Sequence, residues 1–297
     1  MSSNSIPAVV LGEAPLTVAD VVAVARENAR VEISTAALDR VTASRQVIED
    51  LANDTRPHYG VSTGFGALAN GQIPVEKRQQ LQRSLIRSHA AGTGAEVERE
   101  VVRALMLLRL NTLVSGRTGV RPVVAQTYAA IMNAGITPVV HEYGSLGCSG
   151  DLSPLAHCAI TLLGEGHVRV DEDPHTAPVD AGAALAAAGI EPLVLAEKEG
   201  LALINGTDGM LGMLCLALHD FGALLRVADL SAAASVEALT GTDAVFAADL
   251  QVLRPHPGQA ASAANMAAVL ADSNLIQRPR EGVFTRVQDA YSLRCAP

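Results

Sequence analysis

The longest helical pattern in the chain lies at residues 197–239, which read EKEGLALINGTDGMLGMLCLALHDFGALLRVADLSAAASVEAL. Few residues in this stretch break a helix, and its Leu and Ala side chains would lie on more than one side. A long helix that is apolar on several sides is typical of the centre of a helical bundle. This stretch therefore predicts a long-helix bundle.

Helical periodicity also dominates the rest of the chain, so we predict an all-α fold. The bundle would be preceded by an N-terminal helical region that is rich in loops. Thr17 and Ser34 are suited to cap two early helices, and Pro74 and Pro122 suit first helical turns. Apolar spacing predicts further helices at residues 96–113, 153–163 and 258–270. The polar segment 166–178 instead predicts a short hairpin or surface loop.

The composition is that of a globular protein with ample material for a core. Of 297 residues, 49% are hydrophobic and 18% are charged. The net charge is −9 and no long basic run is present, which argues against nucleic acid or an anionic membrane as a partner. The longest uncharged apolar stretches fall short of the ~18 apolar residues that a membrane span needs. Residues 1–10 do not resemble a signal peptide.

The four cysteines are Cys148, Cys158, Cys215 and Cys295. Their irregular spacing in a chain of this size argues against a disulfide framework. We therefore expect a cytoplasmic protein.

Three glycine-rich loops interrupt the helical pattern, and function tends to lie in such loops. The first is Tyr59-Gly60-Val61-Ser62-Thr63-Gly64-Phe65-Gly66, and a structural turn and a close approach to a ligand explain it equally well. It lacks the Gly-Lys-Ser/Thr ending of a phosphate-binding loop. The second is Ser88-His89-Ala90-Ala91-Gly92-Thr93-Gly94, in which a histidine that caps a helix is the simpler interpretation.

The third loop, residues 144–155, reads GSLGCSGDLSPL and is the most informative. A nucleophilic Ser149 would need the pattern Gly-x-Ser-x-Gly, but Asp151 occupies the position of the second glycine. Metal binding by Cys148, His157 and Cys158 lacks the spacing of known sites. Backbone chemistry fits better. The Gly150 nitrogen could attack the carbonyl of residue 148, and loss of two waters would leave a ring with an exocyclic methylene, an electrophile.

With these motifs the chain resembles the histidine ammonia-lyase branch of the aromatic amino acid lyases. Members of that family form a 4-methylidene-imidazol-5-one prosthetic group from an Ala-Ser-Gly triplet. The resemblance runs along the whole chain and rests on five motifs in the right order. They are residues 59–66, 88–94, 144–157, 203–207 and 287–295.

The resemblance implies roles for the matching residues. Cys148, Ser149 and Gly150 would form the prosthetic group without a metal. Tyr59 would be a candidate base or proton relay at the β-carbon, and His89 would contact the substrate imidazole. The remaining polar contacts would come from four residues. Asn205 would hold the prosthetic group or the substrate carboxylate, Tyr291 would support the electrophile and the amino group, Gln288 would add a polar contact, and Arg294 would grip the carboxylate.

The implied reaction is the elimination of ammonia from L-histidine to give trans-urocanate. Helix N-termini around the site, one of them near Ser153-Pro154, would favour the developing negative charge. The polar pair Ser88-His89 suits an imidazole, which needs hydrogen-bond partners once it is buried. The resemblance also implies a homotetramer with shared active sites.

The sequence departs from the family pattern in three respects. The triplet begins with Cys148 instead of Ala, and Ser62 stands where histidine lyases commonly have Asn. The chain also stops at Pro297 where family members continue, so we expect a truncated form of a longer protein. We divide it into an N-terminal helical region with the electrophile loop, residues 1–196, and the start of the central bundle, residues 197–297.

Two other interpretations remain open at this stage. The chain could be a truncated, non-catalytic helical assembly protein with the same fold. It could also be a related phenylalanine or tyrosine lyase, or an aminomutase.

Overall fold

The computed structural model describes residues 6–145, 150–170, 173, 175–276 and 287–297. The chain divides into two compact units, residues 1–217 and 218–297. Each is described by itself. The predicted functional division after residue 196 stays a prediction.

Helices form most of the first unit, in agreement with the all-α prediction. They are α1 (Val18–Arg26), α2 (Thr35–Ala52), α3 (Val75–His89), α4 (Arg99–Val114), α5 (Pro122–Asn133), α6 (Leu152–Leu162), α7 (Ala181–Ala187), α8 (Glu199–Ile204) and the start of α9 (Asp208–Ala238). The predicted caps are present, because Thr17 forms a capping box with Asp20 and the Ser34 side chain accepts from the backbone N–H of Ala37.

Helix α4 forms the centre of the first core. Most of its residues are buried, and it packs against α1, α2, α5 and α8. Helix α4 is enclosed on nearly all sides. The guanidinium groups of its two buried arginines, Arg103 and Arg109, therefore need hydrogen-bond partners within the protein. Arg103 donates to the backbone carbonyls of Val24 and Met132. Arg109 forms part of the candidate site described below.

Short strands supplement the helices. They are β1 (Val9–Leu11), β2 (Val31–Ile33), β3 (Thr93–Glu96), β4 (Thr137–Pro138), β5 (His141–Tyr143), β6 (His167–Arg169) and β7 (Val179–Asp180). β1 and β2 are parallel, and β3 and β5 are antiparallel. β6 lies between β4 and β7 in a three-stranded antiparallel sheet. The antiparallel pairing of β6 with β7 confirms the hairpin predicted near residues 166–178.

Two predicted helix boundaries need correction. The helix expected from residue 96 begins at Arg99, because Glu96 lies in β3, where it pairs with His141 and its carboxylate binds Arg169. The continuous helix expected at residues 197–239 is broken at residues 205–207 into α8 and α9. A side chain at Gly206 would overlap the Arg109 guanidinium, so this glycine allows a close approach between the break and α4.

The second unit has a small core of its own around the C-terminal part of α9. Its other helices are α10 (Ala248–Gln251), α11 (Pro257–Leu270) and α12 (Tyr291–Arg294). The buried core residues are Ala233, Val236, Phe246, Ala263, Met266, Leu270, Ile276 and Leu293. The predicted helix at residues 258–270 is thus confirmed as α11.

The helical stretch Glu199–Ala238 is, by length and composition alone, long and apolar enough to cross a membrane. The sequence expectation concerned uncharged stretches, and Asp208 and Asp220 interrupt this one. The central helix of a bundle has the same properties. The break between α8 and α9 and the buried ion pair of Asp208 with Arg109, near the start of α9, favour a bundle helix.

Candidate active site

In the third glycine-rich loop, the position of Gly150 is decided by close backbone packing. Gly150 has φ +76°, and a side chain there would overlap the carbonyl of Gly206. Only glycine meets both demands easily. Ring closure through the Gly150 nitrogen requires a residue without a Cβ, so a glycine at this position fits the implied prosthetic group. Cys148 and Ser149 lie outside the described residues.

Asp151 anchors the end of this loop to the N-terminus of α9. Its side chain is 1% exposed. One carboxylate oxygen accepts from the backbone N–H groups of Gly209 at 2.8 Å and Met210 at 3.0 Å, and the other accepts from the Ser145 hydroxyl at 2.7 Å. The Asp151 N–H also donates to the Gly206 carbonyl at 2.7 Å. A carboxylate in this position satisfies N–H groups that have no partner within the helix and complements the helix dipole.

Asn205 lies in the break between α8 and α9, beside the third loop. It is the exposed C-cap residue of α8. Beneath it, the guanidinium of Arg109 binds the carboxylate of Asp208 and donates to the Ala202 carbonyl at 3.1 Å. This buried ion pair holds the break against α4.

The second glycine-rich loop starts at the end of α3, where His89 is the last helical residue. The His89 Nδ1 lies 2.9 Å from the Leu85 carbonyl and 3.0 Å from the Ser88 hydroxyl. Because a carbonyl only accepts, Nδ1 donates the proton to Leu85, and Nε2 is the acceptor of the neutral ring. The structure thus confirms a helix-terminal histidine with a defined orientation.

The same loop packs against the base of the third loop through His157 on α6. The Gly92 N–H donates to the His157 Nε2 at 3.1 Å. Burial, and to a smaller extent His141, lowers the pKa of His157. The two histidine rings meet edge to face with centroids 5.6 Å apart. The buried Ser153 hydroxyl lies next to Gly92 and Gly144, so residues from two loops meet here.

The first glycine-rich loop places Tyr59 near the start of α8. The Tyr59 ring is half exposed and packs edge to face on Phe65, with centroids 5.8 Å apart. Its hydroxyl accepts from the Gly66 N–H at 3.4 Å. The ammonium of Lys198 lies 5.7 Å from the ring centroid and donates to the Tyr59 carbonyl at 3.2 Å.

Three further predicted site residues belong to the second unit. Gln288 is exposed in the segment that precedes α12. The Arg294 guanidinium stacks on the ring of Tyr291, 4.3 Å from its centroid, so both side chains lie on one side of α12. This stacking holds the guanidinium plane while leaving its edge able to bind a carboxylate.

In the first unit the structure therefore brings the second and third loops together, and the third loop against the break that contains Asn205. The Tyr59 carbonyl accepts a hydrogen bond from Lys198, at the start of α8. The sequence analysis did not predict that three residues would hold these loops in place. They are Asp151, His157 and Lys198. For Lys198 the sequence did offer a signal, because the charged run Glu197-Lys198-Glu199 stands directly before an apolar helix. Among the described residues, no cluster of three or more His, Cys, Asp or Glu side chains could hold a metal ion.

Comparison with known proteins identifies the family to which the chain belongs. Residues 16–297 match the family model of aromatic amino acid lyases. The chain is 61% identical to the histidine ammonia-lyase of Streptomyces coelicolor over 289 residues, which are 97% of this chain and 56% of that protein. It thus spans about half the length of the curated relatives it matches.

Solved structures give the same result. The crystal structure of a tyrosine aminomutase from Streptomyces globisporus matches 98% of this chain and 57% of its own length, with a TM-score of 0.88 and 37% identity. The histidine ammonia-lyase of Trypanosoma cruzi matches 97% of this chain and 52% of its own, with a TM-score of 0.84 and 37% identity. Because the family model and these structures match nearly the whole chain, which also has the glycine-rich loops of the site, the chain belongs to the aromatic amino acid lyase family.

Proposed function

We propose that this chain is part of a histidine ammonia-lyase, which converts L-histidine to trans-urocanate and ammonia in the cytoplasm. The observation that most favours histidine is the identity of 61% with a histidine ammonia-lyase over nearly the whole chain. The orientation of His89 supports it, because an acceptor at Nε2 suits the N–H of a substrate imidazole.

The prosthetic group would come from Cys148, Ser149 and Gly150. It supplies an electrophilic methylene that no ordinary side chain provides. Gly150 supports this assignment, because its positive φ and the nearby Gly206 carbonyl leave room only for a glycine. The thiol at position 148 would remain a small substituent of the ring.

The other residues would bind the substrate and move its protons. Arg294 would pair with the substrate carboxylate, with Asn205 and Gln288 adding polar contacts. Tyr291 would support the amino group. Tyr59 would accept or relay the β-proton at its phenol oxygen. The N-terminus of α6, near Ser153-Pro154, would favour the negative charge that develops at the β-carbon.

A homotetramer with shared active sites would explain the surface of α9. Large apolar side chains on this helix are about half exposed, which is unusual for a surface without a partner. They include Leu214, Leu218, Phe221, Leu224, Leu225, Val227 and Leu230. Light scattering behind a sizing column would measure the assembly, and a monomer at micromolar concentration would contradict this part of the proposal.

Urocanate absorbance after incubation with L-histidine tests the activity. The longest natural chain that contains these residues should be used, with phenylalanine and tyrosine as comparison substrates. Replacing His89 by Ala removes a substrate hydrogen bond and should lower kcat/KM by roughly 10- to 100-fold. His175→Gln, at an exposed position, is the matched control. Turnover of tyrosine or phenylalanine without histidine would reject the histidine assignment.

The similarity to a tyrosine aminomutase keeps that reaction as the second candidate. It would be recognised by a β-amino acid product instead of free ammonia. A non-catalytic assembly protein would show neither product. Intact mass separates it from both enzymes, because ring formation removes two waters, ~36 Da, from the chain.

A further inference from the structure

Lys198 has an unusual backbone conformation for its residue type. It is one of two lysines in a chain with 22 basic residues, and it is the N-cap residue of α8. Its φ is +73°, in the left-handed region that favours glycine. A residue with a long side chain is held there only when its surroundings require it.

Both neighbours of Lys198 are fixed by ion pairs, and these pairs hold its backbone. Glu197 lies within 3.8 Å of Arg45 and 3.7 Å of Arg78. Glu199 is fully buried and binds Arg121, and this hydrogen bond raises the pKa of the arginine. The start of α8 is therefore anchored on both sides of Lys198 and forms a support for this residue.

From this support Lys198 makes two hydrogen bonds to the first glycine-rich loop. Its backbone N–H donates to the Gly60 carbonyl at 3.1 Å, and its ammonium donates to the Tyr59 carbonyl at 3.2 Å. The ammonium is also within 5.7 Å of the Tyr59 ring centroid. One residue thus binds two consecutive carbonyls of the segment that bears the Tyr59 phenol.

We propose that Lys198 is a positioning residue that fixes Tyr59 in the orientation needed for proton transfer. The inference rests on the proposed lyase function for its catalytic consequence. The contact itself is a property of the fold. Burial lowers the pKa of Lys198, as expected for an ammonium that has lost part of its hydration.

Kinetics of Lys198→Met in the longest natural chain test the catalytic consequence. Methionine keeps most of the aliphatic stem but cannot donate to the Tyr59 carbonyl. Because displacement of a catalytic group by about 1 Å can cost on the order of 100-fold, we expect kcat to fall by roughly 10- to 100-fold. KM should change little, because the proposal assigns Lys198 a contact with Tyr59 and none with the substrate. Lys198→Arg keeps a cationic donor and should recover part of the rate, and Lys77→Met, at an exposed position, is the control.

A double-mutant cycle with Tyr59→Phe separates positioning from general damage. If Lys198 acts through Tyr59, Lys198→Met should have less than about a twofold effect once the phenol is absent. Effects of the two substitutions that multiply independently would overturn the proposal.

Hydrogen exchange supplies a readout that does not depend on the substrate. In Lys198→Met, amides of residues 59–66 should exchange faster, while those of α4 should be unchanged. Unchanged exchange at residues 59–66 would overturn the inference even in an active enzyme. Faster exchange in a protein that turns over no amino acid would reject the proposed function and leave the Lys198 contact established.

Discussion

Replacing Asp151 should loosen the third glycine-rich loop and the start of α9 together. In Asp151→Ala, the buried N–H of Gly209 and the partly buried N–H of Met210 lose their acceptor, and the Ser145 hydroxyl loses its partner. In Asp151→Asn, the amide oxygen can still face the two N–H groups, and the amide nitrogen can donate to Ser145. The two variants therefore remove different parts of one anchor.

The size of each effect follows from these contacts. A buried donor left without a partner costs about 1–3 kcal/mol, and a water-accessible one costs less. For Asp151→Ala we expect the free energy of unfolding to fall by about 3 kcal/mol. Asp151→Asn loses only the charge assistance of its hydrogen bonds, which is about 1 kcal/mol. Ser145→Ala, which removes one hydroxyl donor, is the matched control and should also cost about 1 kcal/mol.

Urea unfolding followed by circular dichroism measures these differences, provided that the m-value is unchanged. Intact mass should be recorded alongside, because a displaced loop should also reduce the fraction of chains that have lost two waters. An Asp151→Ala variant within about 1 kcal/mol of the wild type would refute the reasoning. So would equal losses in the Ala and Asn variants.

Three further substitutions test other parts of the site. Gly150→Ala combines a positive φ with overlap at the Gly206 carbonyl, so the free energy of unfolding should fall by about 2–4 kcal/mol. The intact mass should show that the chain has lost no water, and normal stability would contradict this prediction. Glu199→Ala leaves the Arg121 guanidinium without its buried carboxylate. Because the Arg121 side chain is 35% exposed, urea unfolding should show a loss of about 2–3 kcal/mol. Burial lowers the pKa of His157 below 6.5, so its contribution to stability is complete above that pH and is lost as the pH falls through its folded-state value. His157→Gln keeps an acceptor but does not titrate, so unfolding measured from pH 7 to 5 should be less pH-dependent than in the wild type; identical slopes would argue against this role.

The sequence alone predicted most of the helices, because the signals for a helix are local. Thr17 and Ser34 lie next to the helices they cap, and apolar spacing within one segment is enough to identify α5, α6 and α11. Apart from the hairpin near residues 166–178, the short strands gave no comparable signal. β1 pairs with β2, about twenty residues away, and each strand has only three residues.

The sequence also identified the glycine-rich loops of the candidate site, but only the tertiary structure decided what holds them. The break between α8 and α9 depends on contact between Gly206 and Arg109, which are about a hundred residues apart. The Tyr59 carbonyl accepts a hydrogen bond from Lys198, at a still greater separation. Motifs specify which groups are available, whereas contacts between distant segments decide where those groups lie. Such contacts arise from packing of the whole unit, which no local pattern records.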